Sequence, residues 1–251
     1  MYTFTSRIRY SETDINEKLT LASMLDYFQD CSTFQSEDLG VGMQYLRERN
    51  MIWVLSSWQV EVERFPMLLE QVKVGTFPYD FKKCFGYRNF FMQDADGHCL
   101  ARANTLWTLL YTENFKPAEP PEDMIAKYEM QDKLEMHYAK RKITVPANGE
   151  VQGCIQIMPW HLDANHHVNN VQYVRMASAF IPEDFQVKHM RAEYKKQAYL
   201  GNVLHAFVAW LHDEENMDTY VISLQDEEGK AFANVEFAGQ KRTERKGTES
   251  V

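Results

Sequence analysis

Ile8-Arg-Tyr-Ser-Glu-Thr-Asp14-Ile-Asn16-Glu-Lys18-Leu19 and Ile157-Met-Pro-Trp-His-Leu-Asp163-Ala-Asn165-His-His167-Val168 share the pattern Asp-x-Asn-x-(Lys/His)-(Leu/Val) at an offset of 149 residues. Internal repeats of this kind decide an architecture before any local reading does. A second match lies downstream: Asp94-Ala-Asp-Gly97 falls on Asp226-Glu-Glu-Gly229 at an offset of 132, and at that offset Val62 falls on Tyr194, Arg64 on Lys196 and Val72 on Leu204. The offset therefore changes once, by 17 residues, and the surplus lies in the first copy over residues 37–50. There Gln44-Tyr-Leu-Arg-Glu-Arg predicts an added helix. Two matches in the same order, needing one insertion, indicate a duplicated unit.

Each copy reads as a short strand, the Asp-x-Asn turn, one long helix and several strands. Leu21, Met24, Leu25, Phe28 and Cys31 recur at helical spacing, with Thr20 as candidate cap. Tyr173, Val174, Ala177 and Phe180 repeat the pattern after Asn169. A helix of about 16 residues would span roughly 24 Å, enough to cover one face of a sheet. Val60 and Val62 alternate with Gln59, Glu61 and Glu63, and Val72 and Val74 with Gln71 and Lys73, as half-buried strands do. Residues 203–211 and 219–224 also read as strands, and Asp96-Gly97 and Glu228-Gly229 as hairpin turns. The fold class is α+β, two similar halves sharing one continuous antiparallel sheet. The units fall at residues 1–111 and 151–240, with a linker over 112–150 and a polar tail over 241–251. The linker carries Pro117, Pro120 and Pro121, and residues 122–128 read as a short helix.

The 251 residues carry 27 Lys and Arg against 36 Asp and Glu, a net charge of −9, which disfavours nucleic-acid binding. No run approaches the roughly 18 apolar residues of a membrane-spanning helix. Residues 1–10 lack the apolar core of a secretion signal. Cys31, Cys84, Cys99 and Cys154 show no paired metal or redox spacing and read as reduced thiols. A cytoplasmic location is the expectation, and neither a cofactor nor a metal is expected.

Asp163, Asn165 and His167 stand at i, i+2, i+4. If the segment is extended, they share one face, neighbours about 6.8 Å apart. The helix that follows turns its N–H groups toward the same spot. A carboxylate, an amide, an imidazole and a ready oxyanion site suit acyl transfer. The competing reading is a turn and cap with no chemistry. The first copy keeps Asp14 and Asn16 but has Lys18 where the second has His167, and only imidazole titrates near neutrality without help. If one copy is active, it is the second.

Residues 162–173 resemble the hotdog-fold signature of thioesterases. Arg9-Tyr-Ser-Glu-Thr-Asp14, Leu25-Asp-Tyr-Phe-Gln-Asp30, Leu39-Gly-Val-Gly42, Trp53-Val-Leu55, Arg64-Phe-Pro66 and Trp107 extend the resemblance over residues 3–240, to the acyl-acyl-carrier-protein thioesterases of bacteria and plant plastids. The resemblance implies a double hotdog, each repeat a long helix wrapped by an antiparallel sheet. It also implies hydrolysis of fatty acyl-carrier-protein thioesters, which ends chain elongation. The family's Asp-x-Asn-x-His falls on Asp163, Asn165 and His167, making the second half the catalytic one. A further family position, often Glu followed by Cys in the plant enzymes, falls on Gln197 and Ala198. A cysteine nucleophile is therefore closed to this chain, and Gln197 can orient a water but not take its proton. Asp163 would attack the thioester or activate water, with His167 assisting proton transfer.

An acyl chain requires an apolar pocket. Leu21, Met24, Leu25, Phe28, Trp53, Trp58 and Trp107, in the first half, are its candidate lining. The implied partner is an acidic acyl-carrier protein, which must dock on local basic groups: Lys82-Lys83, Lys140-Arg-Lys142, or Lys188, Arg191, Lys195 and Lys196. A homodimer is left open. The alternatives are an acyl-CoA thioesterase and a non-catalytic acyl-binding double hotdog.

Overall fold

Thr20 ends an extended segment, and its hydroxyl accepts the Ser23 N–H at 3.1 Å, starting α1 (Leu21–Asp38). Leu21, Met24, Leu25, Phe28 and Cys31 form its buried stripe, as their spacing predicts. The computed structural model describes residues 1–213 and 217–241. The expected polar tail lies outside them except for Lys241.

Around α1 the first copy places β1 (Tyr2–Arg7), α2 (Met43–Glu48), β2 (Met51–Val62), β3 (Gln71–Lys82), β4 (Phe85–Asp94) and β5 (Cys99–Tyr111). A short helix, α3 (Glu122–Ile125), follows Pro121. The second copy holds β6 (Glu150–Gln156), α4 (Asn170–Ser178), β7 (Phe185–Tyr194), β8 (Val203–Leu211), β9 (Asp218–Gln225) and β10 (Ala231–Lys241). The strands form one ten-stranded antiparallel sheet in the order β1-β3-β4-β5-β2-β7-β10-β9-β8-β6. Read inward from either edge, the order visits equivalent strands of the two copies.

The copies meet where β2 pairs with β7. Gln59 lies opposite Arg191, and these residues are equivalent at the 132 offset. A local two-fold axis therefore passes between them. The helices meet likewise: Asp26 and Arg175, equivalent at the 149 offset, form an ion pair at 3.4 Å. The two hairpin turns also match. Asp94 Oδ1 accepts the N–H groups of Asp96 and His98, and Asp226 Oδ1 those of Glu228 and Lys230. Gly97 and Gly229 take φ values of 85° and 76°, where a side chain would be strained.

One core runs through both halves. Phe28 packs on Trp58 and Phe90, and Phe237, Val235 and Val174 continue it into the second copy. Each large side chain so buried contributes about 1.5–3 kcal/mol. Burial pushes the Cys31 thiol up to about 12, and all four cysteines are free.

Two expectations are corrected. The helices are unequal: α1 has 18 residues and α4 only nine. Pro182 explains the short one, because the residue before proline resists helical geometry. In the first copy the helix runs on to a left-handed Gly40 and the added α2, so the extra 17 residues are partly helix extension. The segment after α3 is also more than a spacer. Its backbone is pinned to polar side chains on the face of the sheet away from the helices. Gln59 accepts the Ala139 N–H at 2.9 Å and donates to the His137 carbonyl, Asn89 accepts the Leu134 N–H at 3.0 Å, and Glu193 accepts the Ile143 N–H at 3.1 Å. Buried backbone groups need such partners.

The Asp26–Arg175 pair gives a pH prediction. Burial, aided by Asp30 and Glu12 and opposed by Arg175, raises the Asp26 carboxyl from 3.8 to about 6. Folding thus favours the protonated acid, so this group's stabilisation is full below its unfolded pKa and lost as pH rises through about 6. Asp26→Asn is expected to flatten the fall in melting temperature between about pH 4 and 7. A slope equal to wild type would show that Asp26 is not its source.

Candidate active site

The second-copy motif is a tight turn rather than an extended strand. Leu162 and Val168 bridge its base, the Asp163 N–H donates to the His167 carbonyl at 2.8 Å, and His166 adopts a φ of 61°. Asp163 Oδ1 latches the turn by accepting the N–H groups of Asn165 at 2.8 Å and His167 at 3.3 Å. An Asx turn of this kind competes with extended structure, which is why alternation misled here. The three side chains therefore do not form one row. Asn165 stands exposed at the tip, whereas Asp163 and His167 are half-buried at the base.

The first copy reproduces the turn. Asp14 Oδ1 accepts the N–H groups of Asn16 at 2.8 Å and Lys18 at 3.0 Å, and Glu17 takes a φ of 58°. The two turns hold the same geometry but present different side chains, Lys18 and His167.

Two anchors fix the second turn. The Val168 N–H donates to the Ala198 carbonyl at 3.0 Å, and the Ala198 N–H donates to the Tyr173 hydroxyl of α4 at 2.9 Å. Asn169 caps α4, its side chain accepting the Val171 N–H at 2.9 Å. Ala198 is fully buried, so it closes the wall and offers no nucleophile. Burial pushes the Tyr173 hydroxyl up to about 12, keeping it a neutral phenol.

Tyr199 is the residue that sequence reasoning missed. Its ring meets the His167 imidazole edge-on, centroids 5.1 Å apart, and its hydroxyl donates to Gln197 Oε1 at 3.2 Å. It thereby joins His167 to Gln197, and its place two residues after Gln197 was the available signal. Gln197 keeps its amide N–H groups for a second partner.

The proposed acyl-chain residues are dispersed. Met24, Leu25, Phe28 and Trp58 are buried in the main core. Trp53 packs against Phe81 in a smaller cluster, and Trp107 is partly buried with its indole N–H on Thr105. Leu21 lines a groove beside the first-copy turn. Of the basic clusters, the third is largely spent: Arg191 pairs with Glu236, Lys196 with Asp226, and Lys188 donates to the Glu63 carbonyl. Asp94, Asp96 and His98 are the one potential metal-ligand group among the described residues. Asp94 already binds Arg64, and the matching turn at Asp226 repeats the geometry with Lys230 in the His98 place. Turn formation accounts for the cluster.

The description "Acyl-ACP thioesterase N-terminal domain" matches residues 1–128, and "Acyl-ACP thioesterase C-terminal domain" matches residues 154–239. The chain belongs to the acyl-ACP thioesterase family. A chloroplastic acyl-[acyl-carrier-protein] hydrolase of Cuphea viscosissima is 22% identical over 222 residues, covering 80% of this chain and 53% of that protein. A chloroplastic palmitoyl-acyl carrier protein thioesterase of Arabidopsis thaliana is 23% identical, covering 80% and 53%. The chain thus spans about half the length of the curated relatives it matches. The acyl-ACP thioesterase structure from Bacteroides thetaiotaomicron superposes with a TM-score of 0.85 at 22% identity, covering 94% of this chain and 96% of that one. The 12:0-ACP thioesterase structure from Umbellularia californica gives 0.84 at 18%, covering 96% and 97%. The fold is the double hotdog. No described helix is long and apolar enough to cross a membrane.

Proposed function

We propose that this chain hydrolyses fatty acyl-carrier-protein thioesters to the fatty acid and the free carrier thiol, with the chemistry confined to the second-copy turn. One observation carries this reading: the duplicated turns share every latch bond, yet only the second presents an imidazole, at the start of α4 and beside Gln197 and Tyr199. Family membership supplies the reaction class.

In this mechanism Asn169 already accepts the Val171 and Gln172 N–H groups, so the Asn170 N–H at the start of α4 polarises the thioester carbonyl and holds its oxyanion, a role worth about 3 kcal/mol per donor. Asp163 acts through the carboxylate oxygen that the latch leaves free, as nucleophile or as base toward water. Where Asp163 is the base, the water proton it takes passes through His167 to the leaving thiolate; where Asp163 is the nucleophile, His167 protonates the departing thiolate and regains a proton from the water that opens the acyl–Asp163 anhydride. Gln197, held by Tyr199, orients the water, and Asn165 at the tip contacts the incoming pantetheine arm.

The carrier is an acidic protein, and the enzyme's own charge is −9. Docking therefore uses local cations left out of ion pairs, with Lys82-Lys83 on the β3–β4 turn and Lys140-Arg141-Lys142 as candidates. The deciding assay is thiol release from matched carrier-protein and coenzyme A esters of varied chain length. Higher kcat/KM on the carrier esters supports the proposal; preference for the coenzyme A esters would make the chain an acyl-CoA thioesterase, and release from neither would leave an acyl-binding protein. Lys18→Ala is expected to leave kcat within about twofold of wild type, because an ammonium is a poor proton acceptor near neutrality. A large loss of kcat would place the chemistry in the first copy.

A further inference from the structure

The face of the sheet away from the helices carries a cleft of about 400 Å³, within the range of small-molecule sites. The strand register fixes its floor. Tyr87 on β4 lies opposite Leu106 on β5, and Leu106 opposite Ser57 on β2. Asn104 lies opposite Gln59, and Gln59 opposite Arg191 on β7. β4 and β7 are three strand spacings apart, about 14 Å.

The segment after α3 crosses the sheet in the same direction and sets different chemistry at the two ends. At the β4 end Asn89 accepts the Leu134 N–H and the Tyr138 hydroxyl, both at 3.0 Å. There three rings adjoin, Tyr79 centred 5.8 Å from Tyr87 and 6.1 Å from Tyr138. At the β7 end Arg191 donates to the Lys140 carbonyl at 3.2 Å, which brings Lys140 and Arg141 to that side. Tyr79, Tyr87, Tyr138, Lys140 and Arg141 all line the cleft.

Its charge is one-sided. No carboxylate lines it, although the chain carries a net −9. The acids at neighbouring strand positions are engaged: Glu236 with Arg191, Glu61 with Arg102 and the His137 N–H, and Glu193 with the Ile143 N–H and the Asn234 amide. Asp80, Asp132 and Glu135, close by in sequence, are exposed and lie outside the lining. Lys140 and Arg141 form no ion pair among the described residues. The Tyr79 hydroxyl occupies Asn104 Oδ1 at 2.9 Å, so Asn104 offers its amide N–H groups to the cleft's contents. The Ser57 and Tyr87 hydroxyls have no partner among the described residues. Such a lining favours a ligand rich in acceptor oxygens and negative charge.

We infer that this cleft binds a nucleoside phosphate, its base against Tyr79, Tyr87 and Tyr138 and its phosphates at Lys140 and Arg141. The separation of the two ends is the reason. A bare anion would leave the tyrosine end unfilled, and an uncharged aromatic would leave the cations unpaired. Aromatic faces accept a nucleobase, and unpaired cations accept phosphate. The inference goes beyond hydrolysis and needs no turnover. Lys140 and Arg141 are also candidates for carrier docking, so binding is read with no carrier protein present.

The test uses the full chain, with affinity read by isothermal titration of ADP and location by photolabelling with 8-azido-ADP. Labels are expected on residues 79–87, 104–106 and 133–141, and ADP should displace them. Adenosine and inorganic pyrophosphate, each carrying one half of the ligand, should bind at least about tenfold more weakly than ADP. The double change Lys140→Gln and Arg141→Gln should weaken ADP about tenfold or more, through lost charge-assisted bonds. Both side chains are exposed, so this variant is expected to fold as wild type. Tyr87→Leu should weaken ADP at least about fivefold through lost stacking, with kcat on acyl thioesters unchanged. Tighter binding of coenzyme A than of ADP would support the site and assign it the nucleotide end of coenzyme A; equal or weaker binding would support a free nucleotide. Absence of saturable ADP binding, labels confined to residues 163–168 and 197–199, adenosine or pyrophosphate binding as tightly as ADP, or undiminished affinity in both variants would each overturn the inference.

Discussion

His167→Ala is expected to lower kcat on an acyl thioester by about 10²–10⁴, the range for removing a general acid–base group. The same variant should melt within about 2 °C of wild type, since a half-buried ring beside an exposed tyrosine contributes little to stability. The first copy is the internal control. Lys18 occupies the matching place on a turn with the same Asp latch, so turn geometry alone cannot require imidazole. Tyr199→Phe separates the ring contact from the hydroxyl. It keeps the edge against His167 and loses the bond to Gln197. A loss of a few-fold is expected if Gln197 only orients water. Steady-state kinetics and thermal melts on all three proteins check this, and His167→Ala turning over at the wild-type rate would remove His167 from the mechanism.

The architecture was legible because duplication is a pattern that needs no propensity argument. The 132 offset found between Asp94 and Asp226 reappears as the pairing of Gln59 with Arg191, and the 149 offset as the ion pair of Asp26 with Arg175. The change between offsets placed α2 correctly. Helix length was less legible, because the apolar stripe at Phe180 continues the periodicity past the point where Pro182 stops the helix. The pinned segment after α3 was not legible at all. Its partners, Gln59, Asn89, Arg102 and Glu193, lie on four different strands, and nothing local links them.

At the site, residue types were legible and their arrangement was not. Asp163, Asn165 and His167 alternate, which suggested one extended face, but an Asp two residues before an N–H it can accept prefers to close a turn. The turn tip then exposes Asn165 and tucks His167 against Tyr199. Tyr199 lies beyond the motif, and only the anchor from Val168 to Ala198 brings it there. Arg88 shows the same limit in the core. Alternation places it inward on β4, where burial lowers its pKa and Gln35 and Thr76 accept its hydrogen bonds in place of a carboxylate.

Asp163→Asn should separate the latch from the chemistry. Asparagine keeps a side-chain oxygen that can accept the Asn165 and His167 N–H groups, so the turn and the melting temperature should persist. It loses the negative charge and the second carboxylate oxygen, and an amide neither attacks a thioester nor takes a proton from water. A fall of about 10²-fold or more in kcat is expected. Asp163→Ala removes the latch as well and should add a destabilisation of about 0.5–2 kcal/mol, the scale of a lost side-chain cap on backbone N–H groups. Asp14→Ala supplies the counterpart: the same scale of destabilisation at the same latch in the first copy, with kcat unchanged, because no imidazole stands beside it. The measurements are kcat/KM and urea unfolding for the three variants. Asp163→Asn with turnover retained would reduce Asp163 to a turn residue like Asp14 and leave His167 to act on water unaided by a carboxylate. Loss of activity in Asp14→Ala beyond its effect on stability would mean that the first copy shapes the reacting site as well as the groove beside it.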